Sequence, residues 1–417
     1  MNRLKTSQEG KTLVLCPIGL GNFLMATPAL KVLSEAISPG KLDLLALKPS
    51  IVQMAVSSRL FGKVYSWDPD KEGLVAGIKL LKDLRRERFS HSLSLFPTSH
   101  WKFSVFQFLI GAKSRRGFSY PHQKIPAWVQ HRSLPLEETH DTLQNLRLVG
   151  EFLEKKPVTG IVPFYPGNPE TPSDLPSVPY FACHPGSSAE RGMAEKRLPV
   201  KTFIELINKI HQVTGWSCVL VGGSEEQELC EAVAVDCRES VVSVVSRSLA
   251  ETAGILKPAR FLLCNDSGLM HLAAAVGTPC AAFFGPTDEK RTGPFGYWES
   301  AIGAATRAAP TAPKHLILRK PDLECAPCWT VKTVGNNPPC IYGDTRCLRT
   351  FTMDDAWAKL EAWIAALSGR PAGSTLQRGY TGIRPSKSQN RTVNFVMKGS
   401  ISGSNCPFFS TINPSRA

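Results

Sequence analysis

The sequence predicts an α/β protein with two parallel sheets, and two observations support this class. Short apolar runs alternate with amphipathic helical segments along residues 11–155 and again along residues 180–286. Such alternation is typical of parallel sheets, because crossover helices join their strands. Between the two series, residues 157–180 hold seven prolines in twenty-four residues, a density that no helix or sheet interior tolerates. We therefore predict two Rossmann-like domains joined by a proline-rich linker.

The predicted domains take their bounds from this pattern. They are an N-terminal Rossmann-like domain over residues 1–165, a linker over 166–180, a C-terminal Rossmann-like domain over 181–368 and a tail over 369–417. From Arg370 onward the tail carries seven Lys or Arg, no acidic residue and no sustained periodicity. This composition is typical of disordered segments.

The first series begins with the buried strand "KTLVLCP" and the helix "NFLMATPALKVLSEAI". The Thr27-Pro28 pair is a candidate entry to that helix, because proline is favoured in a first helical turn. Strands are predicted at 11–17, 42–48, 63–68 and 90–97, and helices at 22–37, 71–89, 101–111 and 139–155.

The second series repeats the alternation and ends with an amphipathic helix that can pack on either domain. Strands are predicted at 180–186, 216–223, 240–246, 261–266 and 280–286, and helices at 200–213, 225–237, 248–257, 268–276 and 353–367.

Composition limits the class of partner. No apolar run is long enough to span a membrane, and the N-terminus lacks a secretory pattern, so we expect a cytoplasmic protein. The formal net charge is +14, and the tail carries half of that excess. A basic protein suits an anionic partner such as a phosphorylated glycolipid, a membrane surface or nucleic acid. No recognised nucleic-acid-binding module is present, so nucleic acid is not expected.

A glycine loop, "PIGLGNFL", follows the first strand. Gly19 and Gly21 form a G-x-G, but Leu24 stands where a dinucleotide fingerprint has its third glycine. The second strand also does not end in the acidic residue that would hold a ribose. A nicotinamide site is therefore disfavoured, although the two glycines still bring backbone amides close to a ligand at this helix start.

Polar loops follow three strands of the second series, at the sheet edge where α/β proteins bind ligands. One such loop is no more than a helix cap needs, whereas three at one edge, with basic and acidic groups, favour a phosphorylated ligand. The residues are His184, Gly186, Ser187, Ser188 and Lys196 after the first strand, Glu225 and Glu226 after the second, and Asp266, Ser267 and His271 after the fourth.

The helix that starts near Asp266 and Ser267 is the centre of the predicted site. Its backbone amides and positive end suit a diphosphate, and His271 lies one turn further on the same face. Alternatively, Asp266 only caps the helix and His271 is a core residue. With "GPTD" closing the next strand, the set favours diphosphate binding.

Four linked motifs also give the chain a family resemblance. They run in order between about residues 12 and 366 and read "GLGNFLMATPALKVL", "HPGSS" followed by "KRLP", "LVGGSEE" and "NDSGLMHLAAAVGTPCAAFFGPTD". The chain resembles glycosyltransferase family 9, the ADP-heptose:lipopolysaccharide heptosyltransferases. The resemblance implies a GT-B fold, in which two Rossmann-like domains face each other across a cleft. It also implies inverting, metal-independent sugar transfer from a nucleotide donor to a lipid-linked acceptor, without a cofactor.

The resemblance assigns roles to matching positions. It implies that Lys196 contacts the donor phosphates and that Glu225 or Glu226 lies near the nucleotide ribose. The glycine loop of Gly19 and Gly21 matches the acceptor side. The positions that match the segment for the donor diphosphate and sugar are Asp266, Ser267, Gly268, Leu269 and His271.

One position departs from the family pattern. Many members place an aspartate general base after the second glycine, and this chain has Asn22. An amide cannot remove the acceptor's proton. Another carboxylate or histidine supplies the base, the acceptor phosphate assists, or the protein is slow or inactive; Asn22 could also orient the acceptor. We take Asn22 and Lys196 as the candidate catalytic positions and favour an active enzyme.

A cysteine-rich segment spans residues 325–347 with the spacing C-x2-C-x11-C-x6-C. Four thiolates could hold a structural zinc, but the spacing between the pairs is irregular. Reduced or redox-paired structural cysteines are the alternative that we favour, and we assign no metal. The residues are Cys325, Cys328, Cys340 and Cys347.

The sequence therefore predicts a cytoplasmic glycosyltransferase on the inner face of the cytoplasmic membrane. It would move heptose or a related sugar from ADP-heptose to lipopolysaccharide core or a related surface glycan. Two alternatives remain open: a family 9 transferase that uses another nucleotide sugar, and a catalytically inactive sugar-nucleotide-binding protein.

Overall fold

The computed structural model describes residues 10–156, 160–188, 190–237, 241–296, 314–321 and 323–368. The predicted tail, residues 369–417, lies outside the described residues.

The N-terminal half forms a parallel sheet of six strands in the order β3-β2-β1-β4-β5-β6. β1 therefore lies in the middle of the sheet, and the later strands are added outward on both sides of it, as in a Rossmann fold. The strands are β1 (Thr12–Cys16), β2 (Leu42–Ala46), β3 (Val64–Ser66), β4 (His91–Ser94), β5 (Ser114–Ser119) and β6 (Arg132–Pro135).

The C-terminal half repeats this topology in a second parallel sheet, with the order β12-β11-β10-β7-β8-β9. The strands are β7 (Tyr180–His184), β8 (Ser217–Leu220), β9 (Val241–Ser243), β10 (Leu262–Asn265), β11 (Cys280–Phe284) and β12 (Leu316–Arg319).

Helices connect these strands, and none in the described part of the chain is long and apolar enough to cross a membrane. In the N-terminal half they are α1 (Leu20–Ala36), α2 (Pro49–Ser58), α3 (Pro69–Arg86), α4 (Trp101–Ile110) and α5 (Asp141–Phe152). In the C-terminal half they are α6 (Val200–Thr214), α7 (Gln227–Asp236), α8 (Leu249–Leu256), α9 (Gly268–Ala275), α10 (Glu289–Thr292), α11 (Arg346–Arg349) and α12 (Met353–Leu367).

The start of α1 differs from the prediction. The helix begins at Leu20 with Gly19 as its N-cap, and Pro28 lies inside it rather than in its first turn. Thr27 hydroxyl donates to the carbonyl oxygen of Leu24, 2.7 Å away, within the same helix. Pro28 and Thr27 are both buried. Burial of this segment outweighs the local helix-breaking tendency of proline.

The proline-rich segment contains no helix or strand among residues 160–179, as its composition indicated. It crosses from one half to the other by hydrogen bonding to both. Phe164 N–H donates to the hydroxyl of Thr27 at 3.0 Å, and Glu170 N–H donates to the carbonyl of Ala250 at 2.9 Å. The segment is thus irregular in conformation yet fixed at specific points.

One apolar cluster continues through both halves of the protein. It includes Leu24 and Leu30 of α1 and Met270 and Leu272 of α9, all completely buried. α1 and α9 are in direct contact. α1 follows the carboxyl end of β1 and α9 follows that of β10, and both strands lie in the middle of their sheets. The carboxyl edges of the two sheets therefore face each other.

Candidate active site

The start of α9 presents backbone amides at the carboxyl edge of the second sheet. Ser267 is the N-cap residue, but its side chain makes no capping hydrogen bond. Its hydroxyl lies 2.9 Å from Nδ1 of His184 instead. An α-helix leaves its first N–H groups without an intrahelical acceptor. The Ser267 hydroxyl does not accept a hydrogen bond from any of them. Helix starts of this kind are where proteins bind anions, although Ser267 and Asp266 are both buried here and Leu20 of α1 packs against Gly268.

Asn265, the last residue of β10, joins two of the polar loops. Its side-chain amide donates to the carbonyl oxygen of Pro185 at 2.8 Å, and its Oδ1 accepts from the N–H of Leu198 at 2.9 Å. The residue is completely buried. These bonds fix the loop after β7 against the start of α9, so the two predicted ligand loops form one surface.

Lys196 and Asp266 form an ion pair beside the helix start. Nζ of Lys196 lies 2.7 Å from Oδ2 of Asp266, and the Asp266 side chain is almost completely buried. Burial opposes ionisation of Asp266, but Lys196, His271 and Thr287 outweigh it and hold the pKa of Asp266 below its ordinary value. Asp266 is thus a carboxylate that positions the Lys196 ammonium next to the α9 amides.

Glu226 is the acidic residue that contacts the loop after β7. Nε2 of His184 donates to the Glu226 carboxylate at 3.0 Å, and Gly223 N–H donates to it as well. Burial opposes ionisation of Glu226, but His184 and Gly223 lower its pKa overall. A Cβ at Gly186 would lie 1.8 Å from Oε1 of Glu226, so only glycine permits this approach. Glu225, the alternative position, is exposed.

His271 faces the glycine loop of the other half. A Cβ at Gly21 would lie 2.5 Å from Cδ2 of His271, so the close approach of α1 and α9 depends on the absence of a side chain at this position. Burial lowers the pKa of His271 to about 4, although Asp266 opposes the shift. The imidazole is therefore neutral near pH 7 and can donate one hydrogen bond without carrying charge.

The predicted site residues divide into two groups. Direct contacts link Asp266, Ser267, His184, Lys196 and Glu226, and place Gly21 against His271 and Gly186 against Glu226. Those outside these contacts are Gly19, Ser188 and Glu225, which are exposed, Asn22, Gly268 and Leu269, which are half-buried, and Ser187, whose hydroxyl donates to the Met193 carbonyl.

Sequence reasoning missed a buried carboxylate at the same meeting point. Asp141 is the first residue of α5 and is 1% exposed. Nε of Arg291, on α10, lies 3.1 Å from its Oδ1, but neither carboxylate oxygen receives a hydrogen bond within the described structure. Burial raises the pKa of Asp141 to about 7; Arg291 opposes the shift, and the charges of Asp266 and Asp288 add to it.

His140, the N-cap of α5, lies beside this carboxylate and also bridges the halves. Its Nδ1 accepts from Thr142 N–H at 3.1 Å, and its Nε2 donates to the carbonyl of Gly293 at 2.9 Å. Burial lowers the pKa of His140 to about 4. The signal in the sequence was "THDT", a polar run directly before a helix of the first series. It reads equally well as an ordinary helix cap.

The four clustered cysteines line one pocket of about 560 Å³ with Trp329. The thiols of Cys325, Cys328, Cys340 and Cys347 are free, and burial raises the pKa of the Cys347 thiol to about 11. The described residues contain no group of three or more Cys, His, Asp or Glu side chains arranged to hold a metal ion.

A family comparison agrees with this geometry. Residues 78–320 of the 417 match glycosyltransferase family 9 (heptosyltransferase). The chain belongs to glycosyltransferase family 9. The matched region runs from α3 to β12 and so includes all the polar loops of the second sheet.

Individual family 9 relatives cover different shares of the chain. Lipopolysaccharide heptosyltransferase 1 of Pseudomonas aeruginosa is 32% identical over 140 residues, which are 33% of this chain and 38% of that protein. Lipopolysaccharide heptosyltransferase 3 of Escherichia coli is 22% identical over 284 residues, which are 64% of this chain and 81% of that protein. The first match thus spans well under half of the relative's length.

A solved family 9 structure has the same fold. The E. coli ADP-heptose lipopolysaccharide heptosyltransferase II is similar with a TM-score of 0.61 at 17% identity, over 85% of this chain and 98% of that chain. Together with the two facing Rossmann-like sheets, this similarity confirms the GT-B fold that the sequence predicted.

Proposed function

We propose that the protein is an inverting, metal-independent glycosyltransferase that moves heptose, or a related sugar, from ADP-heptose to lipopolysaccharide core or a related surface glycan. Membership of family 9 supports a glycosyltransferase. The donor and acceptor classes are taken from the names of the relatives, which are lipopolysaccharide heptosyltransferases. A related structure holds ADP-2-deoxy-2-fluoro heptose.

The observation that carries the proposal is the start of α9. Its amides carry no side-chain cap from Ser267, and the Lys196 ammonium is held there by Asp266 at 2.7 Å. A diphosphate bound at this point would receive amide hydrogen bonds, a hydrogen bond from the Lys196 ammonium and a donor from neutral His271. The same groups stabilise the charge that develops on the leaving diphosphate. They supply this stabilisation from the protein itself, which supports a metal-independent mechanism.

Asp141 is the general base that we propose in place of Asn22. In the reaction, the acceptor oxygen forms a bond to the anomeric carbon and passes its proton to Asp141. The bond from that carbon to the diphosphate breaks, and the diphosphate leaves with the electron pair. Asp141 lies on the N-terminal half and the α9 amides on the C-terminal half. Inversion requires the base and the leaving group on opposite faces of the reacting carbon, and we propose that the two halves of the protein supply one each.

The alternative of an inactive binding protein rests on one observation. Asn22 occupies the family position of the base. This alternative therefore requires a protein that binds the donor but does not transfer the sugar. The Asp141 carboxylate favours the active enzyme, because a base with a pKa near the working pH is suited to proton transfer.

Two measurements test the proposal. A panel of ADP-, UDP- and GDP-sugars is screened for thermal stabilisation, since a ligand that binds the folded state raises its melting temperature. ADP-heptose should raise the melting temperature more than the other nucleotide sugars do. If another nucleotide sugar gives the largest rise, that sugar becomes the proposed donor. Transfer to a lipid-linked core acceptor is then followed with and without a metal chelator. Donor stabilisation without transfer to any acceptor would establish the inactive binding protein instead.

The place of action follows from the acceptor. A lipid-linked glycan lies at a membrane surface, so the protein would work in the cytoplasm at the inner face of the cytoplasmic membrane. Cell fractionation with a tagged full-length chain tests this, and recovery outside that compartment would contradict it.

A further inference from the structure

Large apolar side chains are exposed in the segment of α3 that follows its break at Gly73 (φ 71°, ψ −176°) and at the start of α4. Leu74 and Val75 are 79% and 82% exposed, and Ile78, one turn further, is 55% exposed. Trp101, the first residue of α4, is 52% exposed. We call Leu74, Val75, Ile78 and Trp101 the α3–α4 surface. Contiguous exposed side chains of this size are typical of interaction sites rather than of ordinary protein surface.

The two helices are fixed side by side, so these exposed side chains lie on neighbouring elements. Trp67 lies between them: its Nε1 donates to the carbonyl of Gly73 at 3.2 Å, and its ring stacks on Phe106 of α4 at 5.9 Å. A Cβ at Gly77 would lie 2.5 Å from the Trp67 ring, which shows how closely α3 covers it. Arg85 also donates to the carbonyl of Leu109 at 2.8 Å.

Topology places this surface at the acceptor edge of the first sheet. α3 starts after the carboxyl end of β3, and α4 starts after the carboxyl end of β4. β4 pairs directly with β1, whose carboxyl end leads into Gly19–Asn22. The exposed apolar side chains therefore lie toward the same sheet edge as the glycine loop, rather than at the far end of their helices.

Positive charge accompanies the apolar side chains. Lys79, Lys82, Arg85 and Arg86 are exposed on α3, and Lys102 is exposed next to Trp101. Arg86 and Asp83 form an ion pair at 2.9 Å and offset each other, so the positive charge comes from Lys79, Lys82, Arg85 and Lys102, against the exposed carboxylate of Glu72. Apolar side chains flanked by Lys and Arg are the pattern of helices that lie in the interface of an anionic bilayer.

We propose that the α3–α4 surface docks on an anionic phospholipid bilayer, with Leu74, Val75, Ile78 and Trp101 entering the interface and the α3 cations facing the head groups. The inference deepens the proposed function, because it names the surface through which the protein reaches a lipid-linked acceptor. Docking at this edge would bring the glycine loop toward the membrane, where the head group of a lipid acceptor lies.

The test is co-sedimentation of the full-length protein with vesicles of phosphatidylcholine mixed with phosphatidylglycerol. The variant Leu74→Ser/Val75→Ser/Ile78→Ser should lower the bound fraction about tenfold, since it removes apolar area that the lipid would cover. The matched control is Val235→Ser, which changes an 83% exposed valine on α7. It should bind as the wild type does. Equal binding by the triple variant and the wild type would overturn the proposal.

A charge variant and two readouts complete the experiment. Lys79→Gln/Lys82→Gln should weaken binding to the anionic vesicles and leave the melting temperature unchanged, and unchanged binding would count against the proposal. If the triple variant instead abolishes a dimer in sedimentation velocity while wild-type protein ignores vesicles, the surface pairs two copies and the proposal is overturned. ADP-heptose stabilisation is measured on the same proteins. If ADP-heptose does not stabilise the wild-type protein, the proposed donor is wrong. Vesicle binding is independent of that result and tests only the α3–α4 surface.

Discussion

The Asp141 carboxylate is held by charge rather than by hydrogen bonds. Arg291 Nε stands 3.1 Å away, yet both carboxylate oxygens lack a donor within the described chain, and the Tyr120 hydroxyl near them lacks a partner as well. Burying a carboxylate whose oxygens accept no hydrogen bond costs folding free energy, so such a group in a folded protein calls for a functional explanation. An acceptor hydroxyl that donates to Asp141 would satisfy that capacity.

Asp141→Asn should therefore remove catalysis and spare donor binding. We expect kcat for transfer to fall about 10²- to 10⁴-fold, the usual contribution of a general base. In the wild type, kcat should rise with pH through about 7 as Asp141 loses its proton, and this limb should vanish in the variant. The groups that act on Asp141 are Arg291, Asp266, Asp288 and Lys196, with Tyr120 nearby. Wild-type kcat in Asp141→Asn would exclude it as the base.

Gly21→Ala should disturb the contact between α1 and α9. The new Cβ would lie 2.5 Å from Cδ2 of His271, so the helices must separate or the imidazole must rotate. We expect a loss of about 1–3 kcal/mol in unfolding free energy, as for other overpacked sites. Gly19→Ala is the matched control, because nothing lies within 4 Å of its Cβ position and its φ is −78°. Urea denaturation of both variants decides, and equal stability would contradict the packing argument.

The loops around α9 depend on the side chain of Asn265. Asn265→Ala leaves the Leu198 N–H and the Pro185 carbonyl without their buried partner, and each such group costs about 1–3 kcal/mol. We expect a lower urea midpoint and weaker ADP binding by calorimetry, because the loop that carries His184 loses its anchor to β10. Asn336→Ala, at an exposed asparagine, should change neither quantity. A stable variant with wild-type ADP affinity would contradict the anchoring role.

Elements with strong apolar periodicity were predictable, and weakly apolar ones were not. β1, β7 and β10 are continuous buried runs, and α12 was predicted with its observed bounds. β5 reads "SRRGFS" and β6 reads "RSLP", so neither shows the apolar pattern of a strand. They are strands because β4 and then β5 offer a free edge for parallel pairing, which depends on the tertiary structure.

The contact between the polar loops of the second sheet could be anticipated because those loops follow strand ends. A strand end followed by a polar loop places side chains at one edge of the sheet, and the structure brings Asp266, Ser267 and His184 together there. Asp141 was not found, because its environment comes from α10 of the other half. Single-sequence patterns carry no information on which buried group faces another across two domains.

Acid should weaken the protein as a unit, because several buried histidines resist protonation. Burial lowers the pKa of His140 and His271 to about 4 and that of His315 to about 3. Their ordinary pKa is higher, so stability present above that value is lost as pH falls toward the folded-state pKa. Asp141 acts oppositely: its raised pKa favours folding below its ordinary pKa, and that contribution is lost as pH rises through about 7.

The histidines outnumber the carboxylate, so the net effect of acid should be destabilising. Between about pH 7 and about pH 5 we expect a loss of about 3 kcal/mol in unfolding free energy, measured from urea midpoints. Asp141→Asn should enlarge this loss, because it removes the opposing contribution. A midpoint that rises on acidification would contradict the burial of these imidazoles.

The apolar cluster shared by the two halves has a consequence for dissecting the protein. α1 and α9 now bury each other's apolar side chains. Cutting the chain in the proline-rich segment would separate the two helices and expose those side chains to water in both fragments. Neither fragment should be soluble when expressed alone, whereas co-expression should recover a complementing pair. The useful piece for engineering, such as grafting a new donor specificity, is therefore a loop at the facing strand ends and not an exchanged half.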